Sequence, residues 1–122
     1  MQHYGAAAYQ TTAKTVESSR EREAALLIKA AASIQSARDN WLDDAEALKS
    51  ALTFNRKLWT IFMTSVTRDQ NALSAQVRQN IANLGIYILN ETREILLDPV
   101  SPARLDALIN INRQLAAGLR AG

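Results

Sequence analysis

Apolar side chains recur every three or four residues along much of this chain, which is the period of an α-helix with one buried face. The clearest run begins at the capping pair Asp43 and Glu46 and extends to about Val66. Continuous apolar seams of this kind pack knobs into holes in helix bundles. The residues of this seam are Trp41, Ala45, Leu48, Leu52, Asn55, Trp59, Phe62 and Val66.

A second periodic run predicts a helix from about Ser74 to Leu97. Its seam consists of Val77, Ile81, Leu84, Ile88 and Ile95. Gly85 interrupts the run, and a mid-helix glycine costs about 1 kcal/mol relative to alanine. We therefore expect Gly85 to let a bulky neighbour such as Trp59 approach the helix backbone.

The last helix is predicted from its start signal, Ser101 followed by Pro102, which supplies a capping hydroxyl and a proline for the first helical position. Its seam consists of Leu105, Leu108, Asn112, Leu115 and Leu119. Asn112 therefore resembles Asn55 in the earlier seam, because each is a polar amide in an otherwise apolar stripe.

The first helix lacks this one-sided pattern. Ser18 and Glu21 form a capping box, which predicts a helix from about Ser19 to Ala37. Its middle, residues 24–32, is apolar on every face and rich in small side chains. We therefore expect this helix to lie between other helices that approach it closely.

These four predicted helices, with short connections, make an antiparallel bundle the natural all-α architecture. Residues 1–17 are rich in Gln, Thr and Ala, with Tyr4 and Tyr9 as their only large apolar groups. We expect this segment to be a flexible N-terminal strap, extended or loosely helical, before a single bundle domain at residues 18–122.

The amino-acid composition narrows the classes of function that this chain can have. The chain of 122 residues has 21 alanines, four glycines, two prolines and no cysteine, and His3 is its one histidine. This excludes thiolate and imidazole clusters, so we expect no metal site and no cofactor. No apolar run is long enough to span a bilayer, and the N-terminus does not resemble a secretion signal, so we expect a cytoplasmic protein with no membrane partner.

The charge pattern argues against direct nucleic-acid binding. Fourteen Lys and Arg residues face twelve Asp and Glu residues, for a formal charge of +2, and the two signs alternate along the chain. The close carboxylate pairs, Glu91 with Glu94 and Asp43 with Asp44, are interpreted as solvated faces or helix caps. We therefore expect neither an enzyme nor a small-molecule substrate.

The two asparagines in the apolar seams, Asn55 and Asn112, allow two interpretations. A buried amide can fix helix register by pairing with another amide, an Arg or a backbone carbonyl. Alternatively, Asn55, Arg56, Asn112 and Arg113 line a groove that holds a partner helix. Trp59 has the same alternatives, a core ring or an exposed interface anchor.

Several short motifs, in order along the chain, are similar to those of the flagellar biosynthesis regulator FlaF family. They are Ala8-Tyr9, the run from Leu52 to Trp59 (LTFNRKLW), Asn71-Ala72-Leu73, the run from Leu108 to Arg113 (LININR) and Gly118-Leu119. Each motif is weak alone, and their order and spacing make the resemblance specific.

The resemblance implies a non-enzymatic regulator that promotes flagellin synthesis, works opposite the FlbT regulator and acts as a flagellin-binding secretion chaperone. On this reading Asn55, Arg56, Trp59, Asn112, Arg113 and Tyr9 are the candidate partner-binding residues, with flagellin as the partner and FlbT as a second one. The alternative is a post-transcriptional regulator of flagellin mRNA that acts through FlbT or RNA without binding flagellin.

Overall fold

The chain folds into four α-helices. The structure, a computed structural model, describes residues 3–40, 43–68, 73–97 and 102–121, and of residues 3–18 it describes the backbone only. The helices are α1 (His3–Asp39), α2 (Ala45–Val66), α3 (Ala75–Leu97) and α4 (Ala103–Ala121), and the described residues contain no strand. The predicted all-α bundle is therefore confirmed.

Local side chains determine where α2 and α3 begin. The α2 N-cap is Asp44, one residue later than predicted, and its carboxylate accepts a 3.0 Å hydrogen bond from the Ala47 N–H. The hydroxyl of Ser74 accepts a 3.2 Å hydrogen bond from the Val77 N–H in the same way at the start of α3. Ser101, the predicted cap of α4, lies outside the described residues.

The predicted start of the first helix is wrong. Helix α1 begins at His3, not near Ser19, so the proposed capping box lies inside a continuous helix. Glu21 binds elsewhere, because its carboxylate accepts hydrogen bonds of 2.8 to 3.1 Å from the Arg120 guanidinium. The side chains of Tyr4 and Tyr9 lie outside the described residues, so a partner-binding role of Tyr9 stays a prediction.

Ion pairs show that the neighbouring helices α1 and α4 run antiparallel. Glu21, in the first half of α1, binds Arg120 at the end of α4, whereas Arg38 near the end of α1 contacts Asp106 at the start of α4 at 2.6 Å. Helix α1 packs against both α2 and α4, and α2 also packs against α3. The contact between α3 and α4 is much smaller.

The interior follows the predicted seams with a few exceptions. Ala45 and Val77, both predicted as seam residues, are exposed, and Leu84 and Leu115 are only partly buried. Thr92 takes a buried place on α3 that the apolar pattern did not indicate. Trp41 lies outside the described residues. Seam residues buried as predicted are Leu48, Leu52, Asn55, Trp59, Phe62, Val66, Ile81, Ile88, Ile95, Leu105, Leu108, Asn112 and Leu119.

Helix α1 lies between α2 and α4, as its small residues predicted. One face is buried through Ala24, Leu27, Ala30, Ala31, Ile34 and Ala37. Leu26 and Ile28 are each more than a third exposed. The apolar middle of α1 is therefore not enclosed on every side.

Gly85 allows a close contact between α2 and α3, but the neighbour is not Trp59. A Cβ atom at residue 85 would overlap Sδ of Met63 and lie 2.8 Å from its Cγ. At Gly118 on α4, the equivalent position has no heavy atom within 4 Å apart from those of its chain neighbours and its own helix backbone. The two glycines therefore differ only in what surrounds them.

This difference predicts opposite effects of the same substitution. Gly118→Ala should raise the free energy of unfolding by about 0.5 kcal/mol, because alanine is the better helix former and its methyl group meets open space. Gly85→Ala should lower it by about 1 kcal/mol, because displacing Met63 outweighs that gain. Urea unfolding of both variants measures the pair, and a Gly85→Ala protein as stable as Gly118→Ala would contradict the packing argument.

Candidate functional site

Three buried polar side chains meet at the centre of the bundle. The indole Nε1–H of Trp59 donates a 2.9 Å hydrogen bond to Oδ1 of Asn112, and Nδ2 of Asn112 donates a 2.7 Å hydrogen bond to Oδ1 of Asn55. Asn112 also donates to the backbone carbonyl of Leu27 at 3.4 Å. All three side chains are fully buried. This amide–indole network therefore joins α1, α2 and α4.

The indole determines how both amides are oriented. Because an indole N–H can only donate, it requires the carbonyl oxygen of Asn112 to face it. The amino group of Asn112 then points at Asn55, which must present its own oxygen. The amino group of Asn55 is left without a hydrogen-bond partner among the described residues. An unpaired buried donor costs about 1–3 kcal/mol, so the network is incompletely satisfied.

The two readings of the seam amides can now be compared. Asn55, Trp59 and Asn112 pair with one another in the interior, as a register-fixing network does, and they do not line an open groove. A partner cannot reach fully buried atoms in this conformation, and a role of these three residues in partner binding stays a prediction. Arg56 and Arg113 are exposed, and their contact with a partner stays a prediction.

Arginines on α4 form ion pairs with both neighbouring helices. Hydrogen bonds and charge attraction from Arg120 lower the pKa of Glu21, and the hydrogen bonds that Arg104 donates to Glu91 and Glu94 raise the pKa of Arg104. Arg104 thus clamps the start of α4 to the last third of α3. Glu91 was interpreted as part of a solvated face, but its side chain is only 16% exposed and serves this clamp.

A cavity of about 180 Å³ lies between the four helices at the end of the bundle where α1 meets the end of α4. Its walls include Phe62, Ile81, Leu115 and Leu119. Burial raises the pKa of the Glu23 carboxyl in the same wall, although Ser19 and Arg20 oppose the shift. The cavity is small and mostly apolar, so it would fit a side chain but not a helix.

The surface carries apolar side chains on two faces. Ile86 and Tyr87 are about half exposed on α3, beside the exposed amides Asn80, Asn83 and Asn90. On the opposite side, Ile61 of α2 is 66% exposed and lies near Leu26 of α1. The sequence analysis missed this second face. Ile61 gave a signal, because it is a large apolar residue outside the α2 seam.

Among the described residues, no helix combines the length and the apolar character that a membrane span requires. Nor do the described residues bring together three side chains of the His, Cys, Asp or Glu type in a way that could hold a metal ion.

A family model, that of the flagellar protein FlaF, matches residues 5–119. The chain belongs to the FlaF family. The family resemblance seen in the sequence motifs is thereby confirmed. Comparison with curated proteins and with solved structures gave no match.

The motifs that resemble the FlaF family include the whole amide–indole network. Asn55 and Trp59 lie in the motif on α2, and Asn112 lies in the motif on α4. The exposed Arg56 and Arg113 follow the two asparagines directly. The motif residues therefore divide between the interior, where they fix the helices, and the surface.

The network predicts unequal effects for its two amides. Asn112→Leu should lower the free energy of unfolding by about 2–4 kcal/mol, because it leaves the Trp59 N–H and the Asn55 oxygen both unpaired. Asn55→Leu should lower the free energy of unfolding by about 1 kcal/mol or less, because it removes a donor that is already unpaired and Asn112 keeps two other hydrogen bonds.

The triple variant Asn55→Leu, Trp59→Phe, Asn112→Leu should be more stable than Asn112→Leu alone, because no polar side chain of the network is left unpaired. Equal losses of unfolding free energy for Asn55→Leu and Asn112→Leu, measured by urea unfolding, would contradict the central position of Asn112 in the network.

Burial of the indole leads to a separate prediction. Trp59→Ala should lower the free energy of unfolding by about 3–5 kcal/mol, because the ring is fully buried and packs edge to face on Phe62, 5.9 Å between centroids. Thermal or urea unfolding followed by circular dichroism measures the loss. A cost below about 1 kcal/mol would place the ring at the surface and contradict the observed packing.

Proposed function

We propose that this protein is a non-enzymatic, cytoplasmic regulator that promotes flagellin synthesis and binds flagellin as a secretion chaperone. The observation that carries the proposal is the match of the FlaF family model to residues 5–119. That match covers all four helices almost completely, so the whole bundle is the unit to which we assign the function.

The structure supports binding to helical segments. Flagellin termini form amphipathic helices that would aggregate or polymerise early if left exposed, and a helical bundle can cover such helices with an apolar groove. The described surface offers exposed large apolar side chains on α1, α2 and α3. The buried network fixes two of these helices, α1 and α2, so Asn55, Trp59 and Asn112 act as positioning residues in this proposal.

Binding to flagellin is directly testable. Purified chain mixed with monomeric flagellin at tens of micromolar should give a saturable heat signal in titration calorimetry. Flagellin from which both terminal segments have been removed is the control, and it should give no signal. Absence of a complex with intact flagellin would contradict the chaperone proposal, and equal binding of both forms would contradict the role of the terminal helices.

A second candidate function is regulation of flagellin mRNA through FlbT or RNA. The observation that favours it is the composition of α2 and the residues after it, because residues 47–68 contain Lys49, Arg56, Lys57 and Arg68 and no acid. Direct RNA binding would weaken steeply with salt, because phosphate contacts release counterions. A gel shift of the flagellin leader RNA at low salt tests this reading, and no retardation by the chain alone would leave FlbT contact as its surviving form.

A further inference from the structure

The outer face of α1 and α2 forms a continuous shallow groove. Its two main depressions, of about 450 and 620 Å³, follow one another along the helix pair. We define the α1–α2 groove by Leu26, Lys29 and Ser33 of α1 and by Phe54, Leu58 and Ile61 of α2. None of these residues belongs to the amide–indole network.

The groove has the length and depth to seat a helix. On α2 its lining extends from Ala47 to Thr64, which is about 25 Å at the rise of an α-helix. One half of the floor is built from small residues, including Ala32, Ser33 and Ser50, which let a partner backbone approach closely. The other half offers Leu26 and Ile61, with 37% and 66% of their surface exposed.

The charge around the groove has one sign along most of its length. Neither residues 24–38 of α1 nor residues 47–68 of α2 and its C-cap include an acid, so Glu23 and Glu46 mark the two ends. The cations beside the groove are Lys29, Lys49, Lys57 and Arg68. No described carboxylate forms an ion pair with any of these four, whereas Arg38, Arg104 and Arg120 all do. The acid-free runs of the two helices thus lie side by side along the groove.

Lys29 shows how the apolar floor and the basic rim combine. Its Nζ lies 5.7 Å from the centroid of the Phe54 ring, in a cation–π contact that crosses the groove. The ammonium therefore occupies one face of the ring. The ammonium remains positioned over the groove, where an incoming carboxylate would meet it.

We propose that the α1–α2 groove binds an amphipathic helix of a partner protein whose apolar stripe is flanked by carboxylates. The apolar stripe covers Leu26 and Ile61, and the carboxylates pair with Lys29 and Lys57. This inference rests on the proposed function and names the surface and the partner chemistry for it. A protein helix fits better than RNA, because an RNA backbone would leave the apolar floor uncovered.

The test introduces a carboxylate into the groove and compares its effect on binding with that of the same change on α3. Full-length Ile61→Glu and Lys57→Glu are titrated with intact monomeric flagellin, beside the controls Ile86→Glu and Arg93→Glu on α3. All four side chains are exposed, so far-ultraviolet circular dichroism and thermal unfolding should match those of the unchanged chain. We expect the Kd to rise about tenfold or more for each groove variant and less than about twofold for each control. Higher salt should weaken binding of the unchanged chain more than binding of Lys57→Glu. Salt screens the attraction between Lys57 and a partner carboxylate, and the variant lacks that attraction.

The possible outcomes separate the inference from the function on which it rests. If the unchanged chain fails to bind flagellin, both are overturned. If it binds, and the groove variants bind as tightly as the α3 controls, the groove is the wrong surface and the proposed function stands. The flagellin leader RNA is run beside flagellin, and retardation that Lys57→Glu abolishes and Ile61→Glu leaves unchanged would make the groove a nucleic-acid site and overturn the inference.

Discussion

The hydrogen bonds of Asn112 are the constraint on which the arrangement of α1, α2 and α4 depends. One amide on α4 accepts from an indole on α2 and donates to an amide on α2 and a carbonyl on α1. Apolar seams alone permit helices to slide by a turn at little cost, since one leucine replaces another. A slide here would leave several buried polar groups unpaired, so the network selects one register.

Ion pairs at the edge of the bundle reinforce that register. Helix α4 is tied to α1 near both of its ends, through Arg120 with Glu21 and through Asp106 with Arg38. Its contact with α3 is concentrated at the Arg104 clamp, and α3 otherwise depends on α2. Apart from the more buried Arg104–Glu91 contact, these ion pairs are exposed or half-exposed and add little stability in water, but they oppose mispairing of the helices.

The same arrangement leaves the outer face of α1 and α2 available for a partner. Arg104 and Arg120 of α4 and Arg38 of α1 form ion pairs, whereas the described lysines beside the α1–α2 groove do not. Small residues on α1 let α2 and α4 pack closely against its buried side. Small residues also keep the floor of the α1–α2 groove shallow. This member of the flagellar protein FlaF family thus presents a fixed, basic and partly apolar helix surface, as the proposed capture of helical segments requires.

The sequence by itself determined the helical class, the approximate bounds of α2, α3 and α4 and most buried seam positions, because a 3.6-residue period and local caps are properties of neighbouring residues. It misplaced the start of α1, since a capping box can also occur inside a longer helix. It could not choose between a buried and a groove-lining Asn55, because that depends on Trp59 and Asn112, the latter 57 residues away. Only the tertiary structure decided this pairing, made Met63 and not Trp59 the neighbour of Gly85, and brought the acid-free runs of α1 and α2 side by side, because each depends on which helix faces reach one another.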